Sequence, residues 1–160
     1  MGMFDFAQIC LNGHIINAAT QTYPYLNRKF CKECGAVAIT KCPNCNSKIE
    51  GEVDPEGEWD AVPYEVPSYC SDCGNPFPWT ASKIEAAHEF AQELENISDV
   101  EKEILSKSID DIIRDTPKTE LAATKFKKII SKVGKTSLEA FKTILIDIVT
   151  EKAKGILGLW

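Results

Sequence analysis

No run of this sequence reaches the roughly 18 consecutive apolar residues of a membrane-spanning helix, so no spanning segment is expected. The opening MGMFDFAQIC offers neither the basic region nor the apolar stretch of a secretory signal. Phe6 stands where a myristoylation motif wants Ser or Thr. A cytoplasmic protein is therefore the expectation. Histidine is scarce, with only His14 and His88 in the chain. Cysteine is absent after Cys73, and only Pro117 follows Trp79 among eight prolines. The composition break near Trp79 suggests two small domains, 1–80 and 81–160.

Basic residues are also in deficit, 18 against 24 acidic ones, for a net charge of −6. Residues 1–80 hold five basic and ten acidic groups, a net −5. That balance disfavours nucleic acid, whose backbone is met by a basic face. The sign reverses at the back: residues 116–160 carry nine lysines against four carboxylates. The chain is acidic in front and basic behind. A stretch from Glu50 to Glu65 holds seven carboxylates and no basic residue. It reads as a solvated loop or a docking strip for a basic partner, with Val53, Trp59, Val62, Tyr64 and Val66 partly packed.

What is present in front is a set of short apolar stretches between turn residues, FAQIC, HIIN and AVAIT, which predict short strands. The back half reads as three or four amphipathic helices. Ser82 with Glu85, and Ser98 with Glu101, have capping-box spacing. Thr116-Pro117 predicts a helix start, Gly134 a helix end, and Ser137 the start of a final helix. Ala122, Phe126, Ile129, Ile130 and Val133 form one apolar stripe, and Phe141, Leu145, Ile148 and Val149 another.

The cysteines carry the chemistry. Cys31/Cys34, Cys42/Cys45 and Cys70/Cys73 are C-x-x-C pairs, the spacing that lets two sulfurs face one ion. Three pairs fill one and a half tetrahedral zinc sites. Adding Cys10 and His14 gives eight ligands, which fill two. A cytosolic chain disfavours the disulfide alternative. Sequential pairing joins Cys10/His14/Cys31/Cys34 and Cys42/Cys45/Cys70/Cys73. Interleaved pairing joins Cys10/His14/Cys42/Cys45 and Cys31/Cys34/Cys70/Cys73. Sequential pairing is preferred, because only seven residues separate Cys34 from Cys42.

Other apparent motifs fail. Gly134-Lys135-Thr136 lacks the earlier glycine of a phosphate loop, since Ile129 stands there. His88-Glu89 lacks the second histidine of a zinc protease, Gln92 occupying that position. With the cysteines and His14 committed to metal, no catalytic set remains and an enzyme is not expected.

The ordered motifs AQICLNGHIIN, FCKECGA, TKCPNCN and PSYCSDCGNPFPWT resemble a family of small bacterial zinc-ribbon-like proteins known mainly as a domain of unknown function. The resemblance covers about the first 80 residues. It implies metal binding by the cysteines and His14 and supplies no activity. The expected fold is a small metal-stabilised β-rich double zinc ribbon followed by an α-helical domain, α+β overall. The expected cofactor is Zn2+, two per chain. The expected role is a non-enzymatic adaptor or scaffold that binds a protein partner or self-associates. Two alternatives stand beside it. One is a membrane-active effector, peripheral to a membrane surface through residues 118–160. The other is a cross-brace adaptor of the ubiquitin-ligase type, which would need interleaved ligation.

Overall fold

A computed structural model describes residues 4–53 and 63–159. The chain divides into two compact units, Met1–Ala81 and Ser82–Trp160. Small strands with two cysteine clusters make the first and helices the second, so the fold is α+β overall.

Five short strands build the first unit: β1 (Phe4–Phe6), β2 (Gln8–Cys10), β3 (Ile15–Asn17), β4 (Ala38–Ile39) and β5 (Glu50–Val53). All pairings are antiparallel. β1 pairs with β5, and β2 lies between β3 and β4. Sheets this small bury little apolar area. The core beneath them is Ala7, Ile9, Ile49, Phe77 and Trp79, completed by Cys42 and Cys70. Two ligand cysteines are thus core residues.

Two polar devices tie the loops down. Asp5 is buried, and its carboxylate accepts the backbone N–H groups of Phe6 (2.6 Å), Gln21 and Thr22 (2.9 Å each). Burial opposes its charge, but these N–H groups win and hold its pKa below the ordinary carboxylate value. Gly51 is fixed by crowding. A Cβ there would overlap the Ala18 carbonyl oxygen and sit 2.6 Å from the Phe6 carbonyl carbon. Tyr64 and Val66 pack partly on the core as expected, whereas Val53, at the end of β5 opposite the likewise exposed Phe4, is exposed. Trp59 and Val62 lie outside the described residues.

The second unit has α1 (Pro78–Glu93, its first turn in the first unit), α2 (Asp99–Ile112), α3 (Thr119–Ile130), α4 (Lys135–Leu145) and α5 (Glu151–Leu157). The predicted apolar stripes converge on one core around Phe126 and Phe141, whose rings are 5.5 Å apart. The Ser98–Glu101 capping box forms as predicted. Other boundaries differ. α1 starts at Pro78, four residues before Ser82, because proline at the first helical position needs no N–H partner. α3 begins at Thr119, since Thr116–Lys118 is spent in a turn closed by Thr119 Oγ1, which accepts the Thr116 N–H at 2.9 Å. Gly134 starts α4 rather than ending α3, and α4 begins at Lys135, not Ser137. The predicted last helix is two, because Thr150 turns out of the helix. Its N–H donates to Ile112 O (3.1 Å) and its hydroxyl caps Ala153 N–H (3.3 Å).

Candidate metal centres

Three hairpins share one local design. In each, the first cysteine's N–H donates to the carbonyl five residues on: Cys31 to Ala36, Cys42 to Ser47, Cys70 to Asn75, at 2.8–2.9 Å. The residue after the second cysteine returns an N–H to the first cysteine's carbonyl. That residue must adopt positive φ, and Gly35 (74°), Asn46 (68°) and Gly74 (73°) do so. A single bridge closes each arm: Phe30 with Val37, Lys41 with Lys48, Tyr69 with Pro76.

The loop between β2 and β3 is one residue shorter. Cys10 N–H donates to His14 O at 3.0 Å, and Gly13, at φ 90°, takes the turn. A side chain at Gly13 would also press on Trp79, whose Cβ lies 3.0 Å from the position of an added Cβ. Trp79 is locked in turn by stacking on Phe77 and by its indole N–H to Pro67 O (2.9 Å). His14 therefore emerges from the base of β3, and its longer imidazole reaches back to the sulfurs.

The structure brings all eight expected residues together in sequential order. Cys10, His14, Cys31 and Cys34 form one cluster, and Cys42, Cys45, Cys70 and Cys73 the other. In each, the ligand atoms lie within 4.8 Å of one another. The interleaved grouping is not formed. No disulfide links these cysteines.

The spacing can be tested against a tetrahedral ion. With Zn–S near 2.3 Å and Zn–N near 2.0–2.1 Å, the tetrahedron's edges are about 3.8 Å for S···S and about 3.6 Å for N···S. The sulfurs of Cys10 and Cys34 are 3.7 Å apart, those of Cys42 and Cys73 3.8 Å, and those of Cys45 and Cys70 3.6 Å. His14 Nδ1 lies 3.4 Å from Cys10 Sγ and 3.6 Å from Cys31 Sγ. Each cluster can hold one metal ion. The other imidazole nitrogen, Nε2, faces the Glu33 carboxylate at 3.7 Å, a charge that steadies the ring.

Polar hydrogens around the sulfurs favour thiolates on the exposed side. The Ala36 N–H and the Asn12 amide bring Cys34 down to about 6, and the Ser47 hydroxyl and N–H bring Cys45 down to about 7. Their buried partners move the other way. Burial pushes Cys10 up. Cys70 is drawn down by the N–H groups of Cys73 and Asp72, but burial and the neighbouring sulfurs outweigh them and leave it at about 11. Four thiolates, or three beside a neutral imidazole, concentrate negative charge that a dication bound between them would neutralise. The sequence reading missed Asn12 and Asn75, whose amides lie 3.4 and 3.5 Å from Cys34 and Cys73 sulfurs. An asparagine two residues from a ligand was the available signal.

Among the described residues His88 joins no metal-ligand cluster. It pairs with Asp110 at 2.9 Å across α1 and α2.

Cysteine hairpins closing two four-ligand clusters on small sheets define a zinc-ribbon-like protein. More particularly, the chain belongs to the family described as "Uncharacterized protein conserved in bacteria (DUF2321)", which matches residues 3–157. The match runs through the helices as well, beyond the first 80 residues that carried the resemblance. No curated protein and no solved structure matches the chain.

Proposed function

We propose that the protein is a zinc-binding adaptor without enzymatic activity, acting in the cytoplasm. Each cluster holds one zinc ion, two per chain, and the metals fix the first unit as a rigid platform for another protein. The observation that carries this reading is the match of ligand separations to a zinc tetrahedron's edges in both clusters. Four protein ligands close a site and leave no position for substrate, which is the pattern of structural zinc. With zinc bound, His14 and all seven cysteines act as ligands, and His88 pairs with Asp110, which supports a reading without Cys/His nucleophilic chemistry.

Packing supports protein docking over membrane action. Phe126, Phe141, Leu145, Ile148 and Val149 are all buried in the second unit, so the apolar stripes of the lysine-rich segment have a protein partner already. Among the described residues no helix is long and apolar enough to cross a membrane. The cross-brace alternative loses its support with sequential grouping.

Native mass spectrometry of the full chain tests the reading. Two zinc ions per chain are expected. A single ion, or another metal in the chain as expressed in zinc-replete cells, would overturn it.

A further inference from the structure

The first unit carries a groove beside its first metal cluster, with Cys31 in its wall. It has a volume of about 360 Å³ and is walled by Ile15, Leu26 and Phe30, with Arg28 and Lys32 at its rim. The three apolar side chains are 47%, 42% and 60% exposed. Ile15 begins β3, an edge strand of its sheet. An open edge beside an apolar groove accepts an extended chain, with main-chain pairing along the strand and one side chain in the groove.

Charge identifies what that chain carries. Arg28, Lys29 and Lys32 are three of the five basic residues in 1–80, gathered within five positions of an otherwise acidic module. Among the described residues none of the three has a carboxylate within ion-pair distance. Among the described residues the Arg28 guanidinium donates to the carbonyls of Tyr25 and Asn27, 2.8 Å each, and to no carboxylate. Glu33, the acid in the groove wall, is turned to His14.

We propose that this groove docks an extended acidic segment of a partner protein, a bulky apolar side chain filling it between carboxylates that meet Arg28 and Lys32. The proposal rests on the adaptor reading and gives it a surface and a partner chemistry. Such a site gains on-rate and selectivity from its charges and affinity from its apolar anchor.

The test is a random-peptide display selection on the zinc-loaded full chain, with the winners resynthesised and titrated by fluorescence anisotropy. Expected winners carry a large apolar residue flanked by Asp or Glu, and bind more weakly as salt rises. Arg28→Glu with Lys32→Glu should weaken them by on the order of tenfold or more, and so should Leu26→Ser alone, while native mass spectrometry still counts two metals. The proposal is overturned by an absence of winners, by winners without acidic residues, or by binding that the variants leave intact. It is equally overturned if the same variants instead abolish binding to anionic phosphatidylglycerol vesicles or a dimer in sedimentation. Winners that bind elsewhere on a two-zinc chain would sink the groove and spare the adaptor reading. Loss of the second zinc in the unmutated chain would sink that reading by itself.

Discussion

Gly13 is held to glycine by two independent constraints, and its neighbours of similar sequence by one. At φ 90° a side chain is strained, and the space it would enter is occupied by Trp79. Gly35 has the same need for positive φ but open space around it. Gly35→Ala should therefore cost about 1 kcal/mol, the left-handed penalty alone. Gly13→Ala should cost about 2–3 kcal/mol, because strain and overpacking add. Chemical denaturation in excess zinc compares the two; equal losses would mean that Trp79 yields freely. His14→Ala has a different signature. It leaves Cys10, Cys31 and Cys34 as three ligands, so competition with a chromogenic chelator should remove one metal readily while the Cys42–Cys73 cluster keeps its own. Asp5→Asn removes a charged acceptor from three backbone donors at once. A folded pKa below the unfolded one means that Asp5 stabilises above the ordinary carboxylate range and stops doing so as pH falls through the folded value. At pH 7 the variant should lose about 1–3 kcal/mol of unfolding free energy.

At the scale of elements, what could be read in the sequence was what is decided locally. The Ser98 capping box needs only four residues and forms as its spacing says. Cysteine pairs and the count of eight ligands identify the two clusters without knowledge of the sheets. The stripes of α3 and α4 were visible because helical period and burial coincide. Tertiary contacts decided the rest. Ser82 and Glu85 have the spacing of a start signal, but Pro78 opens the helix a turn earlier. Nothing in IDIVTEK announces a break, which is made by Thr150 bonding to Ile112, far away in sequence. Asp5 also holds the N–H groups of Gln21 and Thr22, and Gly51 meets the Ala18 carbonyl, partners more than a dozen residues away where no spacing rule reaches. Thr119 shows the energetic consequence. It is fully buried, and its Oγ1 lies 2.6 Å from Arg114 O and 3.0 Å from Asp111 O while accepting the Thr116 N–H. Thr119→Val keeps the shape and orphans these groups, so it should destabilise the helical unit by about 1–3 kcal/mol. A thermal melt followed by helical circular dichroism measures it, and an unchanged midpoint would show that water replaces the hydroxyl.

For the whole molecule, ligand cluster and core are one structure in the first unit, and the core of the second unit has no such cluster among the described residues. Cys42 and Cys70 belong to the same buried cluster as Ile9, Ile49, Phe77 and Trp79. The helical core runs from Ala87 to Leu159 and includes no ligand. Small sheets without a large apolar interior depend on such cross-links, and for structural zinc the binding free energy is folding free energy, on the order of 10 kcal/mol per site. Among the described residues, nineteen buried ones hold the helices instead. Chelation of the intact chain should therefore divide its stability. Hydrogen exchange read by mass spectrometry, before and after a strong chelator, should show β2, β4, β5 and the cysteine hairpins losing protection by orders of magnitude. The cores of α2 and α3 should keep theirs. Readdition of zinc should restore the strands in the same step that restores two-metal mass. If α2 and α3 lost protection together with the strands, the two cores would be one cooperative unit. If neither lost it, the clusters would not support the fold, and the metals would have to be there for another purpose.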